Sequence, residues 1–166
     1  MSGKIYGTSQ NDDLNGGAGK DTVFAKGGDD IISTSGSQDK VFGSGGSDLV
    51  SLGGDEDRAY AGTGDDTVNG DYGSDRIYGG SGDDVLFGGD VLTSNAPAQG
   101  NGGIDDQIWG GSGTDEIHGQ SGNDRLFGQR DSDVIYGQEG TDYVHGGLDT
   151  DQLFGGTGND TLDGGS

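Results

Sequence analysis

Cysteine is absent from the 166 residues, so neither a disulfide nor a zinc–thiolate site can hold the chain together. Proline occurs once, at Pro97. Cations are scarce: 8 Lys and Arg stand against 30 Asp and Glu, a net charge of −22. A chain without a basic face is a poor partner for nucleic acid. No apolar run approaches the roughly 18 residues of a membrane span. The opening Met1-Ser2-Gly3-Lys4 lacks the apolar stretch of a signal peptide. Only 27% of the residues are hydrophobic and 40 are Gly, a balance that reads as disorder unless something orders it. The natural counter-charge for such a chain is a hard cation.

What is present is a period. Cut before Gly7 and then every nine residues, the chain gives nine units through Phe87; cut again from Asn101, it gives seven more through Asp163. Position six is Asp in every unit: Asp12, Asp21, Asp30, Asp39, Asp48, Asp57, Asp66, Asp75, Asp84, Asp106, Asp115, Asp124, Asp133, Asp142, Asp151 and Asp160. Position eight is always aliphatic, from Leu14 and Val23 to Leu153 and Leu162. Positions one to four are rich in Gly, as in Gly79-Gly80-Ser81-Gly82. Glycines there admit the positive φ of a tight turn. The three residues after Asp suffice for a short strand, with position eight facing in and positions seven and nine facing out. Two units then make one coil of 18 residues with a strand in each of two parallel sheets. One aliphatic per nine residues is too thin a core to offset the entropy of ordering so much Gly, so a ligand that binds only the folded state has to contribute.

The nonapeptide G-G-x-G-x-D-x-aliphatic-x, met in full at Gly79–Phe87, Gly110–His118 and Gly155–Asp163, resembles that of the RTX (repeats-in-toxin) family. The resemblance covers all but the ends and a 13-residue insert. It implies an all-β fold, a right-handed parallel β-roll with Ca²⁺ in the turns. It also implies that each ion sits between two turns on the same edge, held by two position-six Asp side chains and by carbonyls from early loop positions. Asp66 would pair with Asp84, Asp57 with Asp75, Asp115 with Asp133, and Asp124 with Asp142. The carbonyl ligands would come from Gly17, Gly19, Gly62, Gly64, Gly80, Gly82, Gly111, Gly113, Gly122, Gly140, Gly156 and Gly158. Sixteen turns on two edges give roughly fourteen such gaps. The resemblance further implies a module of a larger bacterial protein exported by type I secretion, unfolded in the cytosol and folded outside.

The expected organisation is a single domain: a first block of repeats over 1–87, a loop insertion over 88–100, and a second block over 101–166 continuing the same solenoid. Departures from the pattern mark the weakest sites. Position four is Gln10, Ser37, Asp55, Ile104, Asp131 or Asp149, where a side chain strains a left-handed backbone. Ala59 is the smallest position-eight residue and should leave slack in its layer.

If the insert adds no coil, one outward face carries Tyr6, Phe24, Phe42, Tyr60, Tyr78, Trp109, Phe127 and His145 at position nine. Position seven of the same face carries Lys4, Lys40, Arg58, Arg76 and Arg125. Such a stripe could bind an anionic polysaccharide or an adjacent domain of the parent protein; the plainer reading is that aromatics pair along the stack and shield a thin sheet. A passive spacer in an adhesin is a further reading. No catalytic centre is expected. His118 and His145 fall on opposite sheets, and no Ser/His/Asp set converges. Gly17-Ala18-Gly19-Lys20 is followed by Asp21 where a phosphate loop needs Ser or Thr.

Overall fold

The computed structural model describes residues 3–89 and 105–166. The predicted insert at 88–100 therefore lies almost wholly outside the described residues, as does Ile104.

Seventeen strands follow one another among the described residues: β1 (Gly3–Tyr6), β2 (Asp13–Gly17), β3 (Asp21–Phe24), β4 (Ile31–Thr34), β5 (Lys40–Gly45), β6 (Leu49–Ser51), β7 (Arg58–Thr63), β8 (Thr67–Asn69) and β9 (Arg76–Ser81). They continue as β10 (Val85–Gly89), β11 (Gln107–Ser112), β12 (Glu116–Ser121), β13 (Arg125–Arg130), β14 (Val134–Glu139), β15 (Tyr143–Gly147), β16 (Gln152–Thr157) and β17 (Thr161–Gly165). Odd-numbered strands form a nine-stranded sheet and even-numbered strands an eight-stranded one. All pairings are parallel and each strand pairs with the next-but-one, so the chain winds as a two-sheet β-solenoid whose turns line two edges.

The register is the sequence period made solid. Val41 lies beside Ala59 and Ala59 beside Ile77, so position-eight residues stack through one sheet. Leu86, Ile117 and Ile135 do the same in the other. Across the long step in sequence, Arg76 pairs with Gln107 and Val85 with Glu116. The stack keeps phase there and no rung is added between β9 and β11.

Most strands are longer than the three residues after each Asp. They run on through the next unit's glycines, as in β9, where Gly80 and Ser81 pair with Gly62 and Thr63. Without side chains, glycines let neighbouring turns approach closely enough to continue the ladder.

The core is the expected file of position-eight side chains, fully buried from Val23 to Val144, with position-one residues added where a unit lacks its first Gly: Ala25, Leu52 and Ala61. Leu52 is fully buried in the same core cluster as Ala59. On the last rung Leu162 is 45% exposed, because no described strand stacks beyond β17.

Leu126 sits mid-stack with no exposed surface. Leu126→Ala should cost about 2–5 kcal/mol of folding stability, read as a lowered urea midpoint at saturating calcium. A midpoint unchanged from wild type would show that the aliphatic file is not a packed core.

Candidate metal centre

The sixteen position-six Asp residues form two continuous files, one along each edge. In each file the backbone N–H of one Asp donates to the Oδ1 of the Asp one coil on. Along one edge, Asp12, Asp30, Asp48, Asp66, Asp84, Asp115, Asp133 and Asp151 are joined at 2.7–3.0 Å. Along the other, Asp21, Asp39, Asp57, Asp75, Asp106, Asp124, Asp142 and Asp160 are joined at 2.6–3.0 Å. The four pairs singled out in the sequence are consecutive members of these files.

One carboxylate oxygen of each Asp is thus engaged. The second is a different matter. The Oδ2 atoms of Asp21, Asp30, Asp39, Asp48, Asp57, Asp66, Asp75, Asp84, Asp115, Asp124, Asp133, Asp142 and Asp151 are buried without a hydrogen-bond partner. A buried acceptor left alone is costly, and a buried anion more so. Asp12 is an exception: its Oδ2 accepts from the Thr8 N–H and hydroxyl.

Position-one glycines explain where Oδ2 points. A Cβ built on Gly110, Gly119, Gly128 or Gly137 would collide with the Oδ2 of Asp115, Asp124, Asp133 or Asp142, five residues on. It would also meet the carbonyl of the next coil's position-one residue. None of these four glycines takes a positive φ. The reading that glycines at the front of the unit serve the turn's handedness therefore needs correction at position one. At these four loops Gly is needed because carboxylate and carbonyl oxygens crowd the inside of the loop.

Left-handed backbone is confined to positions two and four. At the predicted carbonyl donors it occurs at Gly17, Gly62, Gly64, Gly80, Gly82, Gly111, Gly113, Gly122, Gly140, Gly156 and Gly158, but not at Gly19. Ser37, Asp55, Asp131 and Asp149 adopt it at position four with φ of 72–79°, as their expected strain requires. Gln10 does not, so that expectation is corrected: the first loop closes instead on the Thr8–Asp12 contacts.

Sequence reading missed a second ladder at position five. Backbone N–H groups of Asp29, Ser47, Asp65, Asp83 and Thr114 donate to the side chains of Asn11, Asp29, Ser47, Asp65 and Asp83, one coil earlier. The signal was available as a run of short oxygen-bearing residues at every second position five.

The electrostatics of the files match their geometry. Burial raises the Asp57, Asp66, Asp115 and Asp124 carboxyls to about 7, Asp84 and Asp133 to about 6, and Asp75 to about 9. The donated N–H works against this rise, and neighbouring carboxylates add to it, Asp106 acting on Asp75 for one. Among the described residues no three His, Asp or Glu side chains converge to hold a metal. A cation bound inside the loops would draw many ligands from backbone oxygens. That suits a hard ion taking about six to eight oxygens in irregular geometry.

The pH dependence follows in sign. These acid constants lie above the unfolded value of about 3.9, so the ion-free fold is most favoured below pH 4 and loses that stabilisation as pH rises through 6–9. Chelated protein should gain β-type circular dichroism on acidification from pH 8 to 4.5. Protons and calcium compete for the same oxygens, so the calcium midpoint at pH 5.5 should be at least tenfold above that at pH 8. A pH-independent midpoint would show that the buried carboxylates are not the binding groups.

Comparison with known families gives one match, the RTX calcium-binding nonapeptide repeat, found in successive copies over residues 4–32, 24–59, 60–90, 102–126, 118–153 and 145–166. No curated protein matches the chain. The matched segments span nearly its whole length, both files of Asp and both sheets: the chain belongs to the RTX calcium-binding nonapeptide repeat family.

Proposed function

We propose that this chain is the calcium-responsive folding module of a larger secreted bacterial protein, one solenoid in which Ca²⁺ bound between stacked loops supplies the cohesion its thin core lacks. The observation that carries the proposal is the set of thirteen buried, unpartnered Asp Oδ2 atoms along the two edges. The ligands of each ion would be position-six carboxylates of successive coils on one edge, with loop carbonyls such as those of Gly62, Gly64, Gly80, Gly82, Gly111 and Gly113. The ion supplies positive charge and oxygen coordination. The chain supplies two rows of carboxylates held a coil apart by their own N–H···Oδ1 bonds.

Calcium then acts as a folding switch. Where free calcium is low, the repelling carboxylates disfavour the stacked state. Where it is millimolar, binding stabilises that state by mass action. Family membership and the absence of cysteine favour export of an unfolded chain that orders outside the cell. A calcium titration followed by circular dichroism should show coil giving way cooperatively to β-structure, with magnesium largely inert. An ordered two-sheet signal that survives chelation at pH 8 would refute the switch.

A second reading concerns one outward face. Lys40, Arg58 and Arg76 occupy adjacent rungs at position seven of the nine-stranded sheet. Among the described residues the ion pairs involve only His118 and His145, so these three cations lack a carboxylate partner. The Arg58 Nε is buried without a hydrogen bond. Beside them the aromatic ladder from Tyr6 to Phe127 is stacked, with centroids 4.6–5.6 Å apart and planes within 9°. Lys40 Nζ lies 4.8 Å from the Phe42 ring centroid and 5.2 Å from that of Tyr60, which joins the cations to the ladder in one surface. The face therefore favours a polyanion lying along the row, and an acidic polysaccharide is the proposed ligand. Arg58→Gln with Arg76→Gln should weaken binding of a carboxylated polysaccharide about tenfold and leave the calcium midpoint unchanged; equal binding by the variant would remove this reading.

A further inference from the structure

Resting on calcium binding between loops, we infer that the array is incomplete on one edge: the two gaps joining loops 16–21, 34–39 and 52–57 are closed by protein groups, Thr34 and Leu52 foremost, and hold no calcium. The inside of a loop is where position-one Gly leaves room for the Asp Oδ2 of its own unit. Two consecutive loops on this edge have no Gly there. Thr34 and Leu52 occupy position one, and both are buried, at 2% and 0% exposure.

The Thr34 side chain reaches into both gaps, and Leu52 is turned into the core. A Cβ built on Gly16 would lie 3.1 Å from the Asp21 Oδ2 and 3.1 Å from the Thr34 Cγ2. A methyl group from one loop therefore shares the space beside the unpartnered carboxylate oxygen of the loop before it. The Thr34 hydroxyl donates across the next gap to the Leu52 carbonyl, at the position where other coils stack free of side chains. An ion that needs about six to eight oxygens meets a methyl in the first gap and a hydroxyl-capped carbonyl in the second.

The surroundings agree. Strands β2, β4 and β6, which lead into these three loops, have 5, 4 and 3 residues, against 6 in each of β12, β14 and β16 farther along the edge. Ser35 lacks the left-handed backbone of a regular position two. A protein cation is also at hand: Lys20 partly offsets the burial-driven rise of the Asp39 carboxyl, and no other Asp with a raised carboxyl feels a Lys or Arg. Lys20, Lys40, Arg58 and Arg76 line a groove of about 280 Å³ that runs past Asp21, Asp39 and Asp57. This part of the roll combines apolar filling with fixed positive charge and so needs less calcium than the rest.

The test is an ion count on the full chain at saturating calcium, by native mass spectrometry and equilibrium dialysis, for wild type and for Thr34→Gly with Leu52→Gly. The double variant should bind two more calcium ions than wild type. If it folds and binds the same number, the inference is overturned. If it fails to fold, crystals of wild type soaked in a lanthanide decide: anomalous peaks elsewhere on both edges but absent from these two gaps support the inference, and peaks in them overturn it. Ordered protein with no bound ion at any gap would instead refute calcium binding between loops altogether.

Discussion

Everything in this molecule depends on bringing carboxylates into file, one per coil on each edge, where nearly all of them are buried. The N–H···Oδ1 bond from Asp to Asp fixes the spacing of the coils. In thirteen of the sixteen it leaves the remaining carboxylate oxygen buried without a hydrogen-bond donor. A proton can relieve that situation, and so can a divalent cation. The same contact that builds the stack thus creates the demand for the ion.

The glycines serve this arrangement in two distinct ways. At positions two and four they permit a left-handed backbone, and short polar residues such as Ser37, Asp55 and Asp131 can replace them. At position one they give up a side chain so that oxygens can fill the loop. Close approach matters at both: a Cβ on Gly113 would collide with the Gly82 carbonyl oxygen, and one on Gly110 with the Asp115 Oδ2. The outward faces obey neither constraint, and their content varies along the axis. The eight-stranded sheet carries Asn15, Ser33, Ser51 and Asn69 first, then a stacked run of Phe87, His118, Tyr136 and Phe154.

Much of the architecture was legible in the sequence because period nine maps one residue position onto one place in space. The sixteen Asp and sixteen aliphatics announced both files, and the aromatic ladder from Tyr6 to Phe127 followed from phase alone. The individual loops were less legible. That Gly110 is needed for the Asp115 carboxylate, whereas Gly111 is needed for its φ of 128°, cannot be told from two adjacent identical letters. Leu52 was equally opaque. Nothing in the period foretold that a position-one side chain would join the core cluster. The position-five ladder escaped notice because Asn, Asp, Ser and Thr are interchangeable acceptors, so no single residue type repeats.

The junction between Asp75 and Asp106 carries a further consequence. Their N–H···Oδ1 bond spans 31 residues where its neighbours span 18, yet the rungs on either side align as if nothing intervened. A solenoid that closes its ladder across an arbitrary sequence interval can acquire or shed sequence at that turn while every other contact keeps its partner. In evolutionary terms such a turn is a splice point. Segments of different length can therefore occupy that turn without altering the scaffold on either side.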